Sequence, residues 1–178
     1  MKVFLDACVL YPTVLREILI GVAGRGLYDP QWSPRVLEEW ARAAARLGPE
    51  GERIARAEIA LLQSTWPGAA ITPRAGDLAR LHLPDPNDIH VLAGAIAGHA
   101  DLLCTFNAKD FPRHTLAAEG IERVDPDQLL RRMMPSPAIA DVVADVHATA
   151  ERLSGETMPL RAMLKRARLP KLGKALTA

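Results

Sequence analysis

The chain has 178 residues, enough for one domain with a sizeable core, and its 49% hydrophobic and 24% charged residues are ordinary for a globular protein. Aromatic residues at 4% are too few to stack a long run of bases, and two cysteines, Cys8 and Cys104, are too few for a disulfide framework or a structural zinc site. The net charge of +1 is unevenly placed: residues 1–130 hold 13 Lys/Arg against 17 Asp/Glu, whereas residues 131–178 hold 9 against 4.

In chain order, "KVFLDA" is a short apolar run closed by Asp6, the form of a buried parallel strand. The run is too short for a secretory h-region, and no stretch reaches the ~20 apolar residues of a membrane span, so a cytoplasmic protein without a membrane partner is expected. "TVLREILIGVAGRG" has helical spacing of Val14, Leu15, Ile18, Leu19 and Val22, with Gly24 and Gly26 as a stop. In "SPRVLEEWARAAARLG", Ser33 suits an N-cap and Pro34 the first helical position. "EGERIARAEIALLQSTW" predicts another amphipathic helix, "AAIT" a weak strand, and a short helical piece follows. "LPDPNDIHVLAGAIAGHA" predicts a capped loop running into an apolar helix, "DLLCTF" a second strand, "GIERV" a third, and "DPDQLLRRMM" a helix. "MMPSP" marks a boundary, and two helices are predicted after it, over about 138–153 and 160–168. From Met158 onward the chain carries Arg161, Lys165, Arg166, Arg168, Lys171 and Lys174 with no acidic residue. Such a tail either is simply solvated or helps hold a polyanion.

Strands alternating with helices predict an α/β fold: a central, mostly parallel sheet flanked by helices, followed by a C-terminal helical extension. The domain reading is residues 1–132 as the main unit and residues 136–178 as the basic extension. In such sheets ligands collect at the carboxyl ends of the strands. Asp6 ends the first strand, and Thr105, Asn107, Lys109 and Asp110 follow the second. Asp85 and Asp88 bracket the start of the apolar helix, where Asp88 is either an N-cap or a ligand. Glu38 and Glu39 are about 100° apart on their helix, so only one can face a given site. Carboxylates converging on one sheet edge repel each other unless a cation neutralises them, and an all-oxygen set selects a hard ion such as Mg²⁺ or Mn²⁺ over zinc. A hard ion on a few carboxylates suits phosphodiester hydrolysis.

The segments "VFLDACVL", "SPRVLEEW" and "DPNDIHVLAGAIAGHADLLCTFNAKDF" together resemble a PIN-domain ribonuclease of the VapC toxin type, across about residues 2–128. The subgroup with an extra C-terminal helical segment is the nearest in form. The resemblance implies a PIN-like three-layer fold and a Mg²⁺- or Mn²⁺-dependent endoribonuclease acting on RNA. It also implies a cognate antitoxin protein as partner and a homodimer. Carried over by position, Asp6, Glu39, Asp88 and Asp110 are the catalytic acids, with Asp6, Asp88, Asn107 and Asp110 holding the metal. Thr105, Lys109 and Arg16 are assigned to substrate. Glu39 is preferred to Glu38 because its spacing from Ser33 matches the family. Two positions depart from the pattern: Cys8 stands where many PIN domains have Asn, and Asn107 where many have a fourth acid.

Other readings of the same residues stay open. His90, His99, Cys8 and Cys104 serve as packing groups as readily as ligands, and Trp32, Trp40 and Trp66 as core. Lys109 either meets phosphate or neutralises Asp110, and Arg16 either faces the acidic edge or is a surface charge. Asn107 and Cys8 also suit a non-catalytic PIN-like module that binds RNA or protein. An aspartyl-phosphate chemistry at Asp6 is a third reading, although Cys8 occupies the position where such phosphatases need a second Asp.

Overall fold

The structure, a computed structural model, describes residues 1–177. β1 (Lys2–Leu5) buries Val3, Phe4 and Leu5 completely, as a strand covered on both faces requires. The chain then turns through α1 (Ala7–Leu10) and α2 (Thr13–Gly24) to β2 (Asp29–Gln31). α3 (Pro34–Ala44) starts as its sequence predicts, with Ser33 Oγ accepting the Val36 N–H at 3.2 Å and Pro34 in the first turn. α4 (Pro49–Thr65) and α5 (Ala75–Arg80) lead to a 3-10 turn at Pro86–Asp88 and to α6 (Ile89–Ala97). β3 (Leu102–Cys104), α7 (Arg113–Ala118), β4 (Glu122–Val124) and α8 (Pro126–Arg132) complete the α/β body. α9 (Pro137–Ser154), α10 (Leu160–Arg166) and α11 (Pro170–Leu176) follow.

The four strands are all parallel, in the order β2-β1-β3-β4, so each return between them crosses through helices packed on the sheet. This is the expected helix-flanked α/β architecture with C-terminal helices. Val3 pairs with Leu102, Phe4 with Leu103 and Leu5 with Cys104, so β1 and β3 form the sheet's centre and end side by side. β2 is an addition to the predicted elements. Its residues, Asp-Pro-Gln, have turn composition, and Pro30 is tolerated because β2 is an edge strand. Conversely, "AAIT" contributes only a single bridge between Trp32 and Ala70. α7 and α11, short and bounded by Pro112 and Pro170, are also additions.

One hydrophobic cluster runs from Val3 in β1 to Leu172 in α11. α9 lies on α2 so closely that a Cβ on Gly21 would stand 2.7 Å from Val142 Cγ1, which makes Gly21 a packing requirement. Ile139, Val142 and Val143 are buried there. α11 is tied to α8 by Asp127, whose two carboxylate oxygens accept the Lys171 and Leu172 N–H groups at 2.9 and 2.8 Å. The last residue of the expected extension, Ala178, lies outside the described residues. Among the described residues no helix is long and apolar enough to cross a membrane.

Candidate metal centre

Because β1 and β3 end in register, the residues after them emerge together. The Asp6 N–H donates to Cys104 O at 3.2 Å, and Thr105 Oγ1 donates to Asp6 Oδ2 at 2.7 Å. Asp6 Oδ1 accepts the Ala7 N–H at 2.7 Å and so opens α1. Cys8 Sγ donates to Asp6 Oδ2 at 3.2 Å. Burial, followed by the Asp6 charge, pushes the Cys8 thiol up to about 12. It therefore stays protonated as a donor to Asp6 and is a poor nucleophile.

α6 brings the second acid. Its middle residue, Gly94, faces the Phe4 ring of β1, where a Cβ would come within 2.7 Å of Phe4 Cζ. This close approach lets α6 lie against β1 and sets its N-terminus at the strand ends. Asp88 stands at the N-cap position but its side chain accepts no capping hydrogen bond. Its Oδ2 instead accepts from Asn107 Nδ2 at 2.9 Å. Asp85, three residues earlier, caps the 3-10 turn by accepting the Asn87 N–H at 2.9 Å. One carboxylate oxygen from each of Asp85, Asp88 and Asp110 lies within 4.8 Å of the others. Burial, and after it the charges of Asp6, Asp85, Asp110 and Glu39, push the Asp88 carboxyl up to about 6.

Glu39 comes from α3, turned about 100° from Glu38. Its Oε1 is 2.8 Å from His90 Nε2 and 3.4 Å from Arg35 Nε. The His90 contact is short but poorly aligned, so neither ring nitrogen of this buried imidazole has a hydrogen-bond partner among the described residues. Glu38 turns outward to Arg42 and Arg56, at 3.1 and 3.0 Å. Hydrogen bonds from Arg56 and then Arg42 hold the Glu38 carboxyl down at about 2.

The sequence-predicted residues separate on this geometry. Asp6, Glu39, Asp88 and Asp110 converge on one edge of the sheet. Asn107 enters through its amide nitrogen, as a donor to Asp88, and the closest carboxylate set joins Asp85 to Asp88 and Asp110, with Asp6 outside it. Asp85 was legible only as one half of the Asp85–Asp88 pair around Pro86. Thr105 is buried, and its hydroxyl is committed to Asp6 and to the Asn107 N–H, which makes it a positioning group for Asp6. Lys109 is exposed on the same loop. Arg16 is 6% exposed, donates to Leu10 O and Tyr11 O and pairs with Glu58 at 2.5 Å. Its guanidinium also lies 4.3 Å from the Trp40 ring centre. A charge this desolvated is held by fixed partners rather than left for substrate.

Among the described residues, no Lys, Arg or His nitrogen comes within 4.0 Å of Asp6, Asp85, Asp88 or Asp110. Three carboxylates in mutual reach, with Asp88 holding its proton too tightly, are the donor set that a hard divalent cation fits.

The family model described as a PIN domain matches residues 2–109, and the chain belongs to the PIN-domain family. That stretch contains β1, β3, Asp6, Glu39, Asp85 and Asp88, and it ends one residue before Asp110. Membership points to a nuclease-type function, and the acidic cluster is compatible with metal binding. No curated protein and no solved structure matches the chain significantly.

Proposed function

We propose that the chain is a Mg²⁺- or Mn²⁺-dependent endoribonuclease and the toxin of a VapC-type toxin–antitoxin pair. One observation carries this reading: one carboxylate oxygen from each of Asp85, Asp88 and Asp110 lies within 4.8 Å of the others, and among the described residues no Lys, Arg or His nitrogen pairs with any of the three. Asp85, Asp88 and Asp110 would hold the ion, with Asp6 beside them. When bound, the ion acidifies water and offsets charge on the phosphate under attack. The chain's own residues prepare that site. Thr105 and Cys8 fix the Asp6 carboxylate by donating to Oδ2, and Asn107 fixes Asp88 in the same way. Glu39, outside the triad and half-exposed at its rim, lies between His90 and Arg35 at the mouth of the site.

Residues 1–132 are read as the nuclease unit and residues 136–178 as its extension. RNA is the substrate, a cognate antitoxin protein the neutralising partner, and a homodimer the assembly; the VapC-like motifs of the sequence support these three. The test is RNA cleavage with Mg²⁺ or Mn²⁺ by the parent, Asp6→Asn and Asp88→Asn. Activity in the parent and its loss in both variants is expected; equal cleavage by all three proteins removes the proposed site.

One feature favours a second reading, a non-catalytic PIN module: Asn107 offers Asp88 a hydrogen bond where many relatives would place a further acid. A melting temperature unmoved by millimolar Mn²⁺ would support it.

A further inference from the structure

Thr105, which donates to Asp6, also lines a cavity of about 390 Å³ together with Phe106, Ala108 and residues of β4, α8 and the C-terminal segment. Four cations reach it: Arg113, Arg123, Arg168 and Lys171. Among the described residues none of the four has a carboxylate within 4.0 Å.

The two acids of the cavity are already engaged with backbone. Asp125 accepts the Gln128 N–H at 2.7 Å, and Asp127 accepts the Lys171 and Leu172 N–H groups. Arg123 Nη1 donates to Ala108 O and Phe111 O, both at 2.6 Å, so it braces the loop that carries Asp110. Burial and the adjacent Arg113 charge lower the Arg123 pKa, as expected where like charges crowd.

Arg168 is the informative member. It follows α10 with φ +62°, a left-handed conformation that a non-glycine residue adopts only at a cost. Its guanidinium lies 3.6 Å from the centre of the Phe106 ring. The tail therefore delivers a cation, over an aromatic face, to the loop that completes the acidic edge.

We propose that this cavity is a subsite for a backbone phosphate of the RNA strand flanking the cleaved bond, contacted by Arg113, Arg168 and Lys171. This inference rests on the nuclease reading for the choice of polyanion. A strand with one phosphate at the acidic edge would have to pass the shared residue Thr105, and phosphate oxygens suit guanidinium and ammonium donors. On this view the basic tail is a built part of the substrate path.

The experiment is binding of a short single-stranded oligoribonucleotide by the full chain, followed by fluorescence anisotropy across a salt series. An Asp88→Asn background keeps cleavage out of the readout, so the result stands or falls independently of the nuclease reading. Arg113→Gln/Arg168→Gln/Lys171→Gln is expected to weaken binding and reduce the salt slope by about 0.7, the change for one lost phosphate contact on a single strand. Arg168→Lys, which keeps the charge, should retain most of the slope. Arg161→Gln/Lys165→Gln, at exposed tail positions outside the cavity, should match the background. The melting temperature of each variant checks that the Phe106 face is still covered. An unchanged slope in the triple variant overturns the inference, as does an equal loss in the Arg161/Lys165 control, which would mean a diffuse polycation. Unchanged RNA binding with lost binding of a poly-glutamate peptide would reassign the cavity to an acidic protein segment.

Discussion

Glu38 and Glu39 are adjacent in α3 yet belong to regions of opposite electrostatics. Glu38 joins a surface network in which Arg42 and Arg56 meet Glu38 and Glu52, and its carboxyl is held down at about 2. Glu39 turns instead to the edge where Asp88 is pushed up to about 6. Both regions are rich in acids, so acid content does not distinguish them. Matching does: arginines on neighbouring helical turns answer the first set, and among the described residues nothing with positive charge answers Asp6, Asp85, Asp88 or Asp110. An acidic surface that is internally neutralised is a solvated face, whereas one left unmatched at strand ends is a place for a cation.

Substitutions on the two sides should differ most in catalysis. Asp88→Asn and Asp6→Asn are expected to lower RNA cleavage by about 10²–10³-fold, the effect of losing several kcal/mol of charge stabilisation. Glu38→Gln should leave the rate within about twofold of the parent. If Glu38→Gln cleaves as poorly as Asp88→Asn, the division between the two regions fails.

Metal binding is the next largest contrast. At a Mn²⁺ concentration near 100 times Kd, linkage gives about 2.7 kcal/mol of added stability, a rise of roughly 5–10 °C in melting temperature for a chain of this size. Asp85→Asn and Asp110→Asn should each reduce that rise, and Glu38→Gln should preserve it. Calorimetric scans with and without the ion decide the matter; a full rise in Asp85→Asn would exclude Asp85 from the site.

A smaller effect is expected from pH in metal-free protein. The Asp88 carboxyl rises from an ordinary 3.8 to about 6, so the folded state binds this proton more tightly than the unfolded state. Its contribution to stability is full below about pH 3.8 and is lost as pH rises through 6. Glu38 has the opposite sign: its pKa falls from 4.5 to about 2, and its contribution is present above about pH 4.5 and lost as pH falls toward 2. Melting profiles of Asp88→Asn should therefore flatten between about pH 4 and 6, while those of Glu38→Gln change in shape only as pH falls from about 4.5 toward 2. A parent-like slope in Asp88→Asn over that interval would contradict the assignment.

The smallest effect is expected at the surface network itself. Glu38→Gln should shift the melting temperature at neutral pH by less than any change above, because exposed pairs are screened by water and salt.

Much of this is readable in the sequence. The apolar runs Val3–Leu5 and Leu102–Cys104 announced buried strands, and Ser33 with Pro34 announced the start of α3. The strand-end rule pointed to Asp6 and to the loop through Asp110. The pairing of Arg16 with Glu58 was not legible, because a helical pattern does not say which partner a charged face meets and Glu58 lies far along the chain. The capping alternative for Asp88 had to wait for Asn107 Nδ2, and Asp85 could not be ranked against Asn107 without distances. β2 was hidden because Asp-Pro-Gln carries turn composition and pairs only through the neighbouring β1.

Local order and chemistry thus belong to the sequence: which segments are strands or helices, which residue types stand at their ends, and that the tail is basic. These follow from periodicity, capping and burial, which act over a few residues. Convergence belongs to the tertiary structure. Parallel pairing of β1 with β3, and the approach of Gly94 to Phe4, bring carboxylates from four separate segments to one edge. Only that packing decides which acids go unmatched, because the energy of a charge depends on what the rest of the fold places beside it.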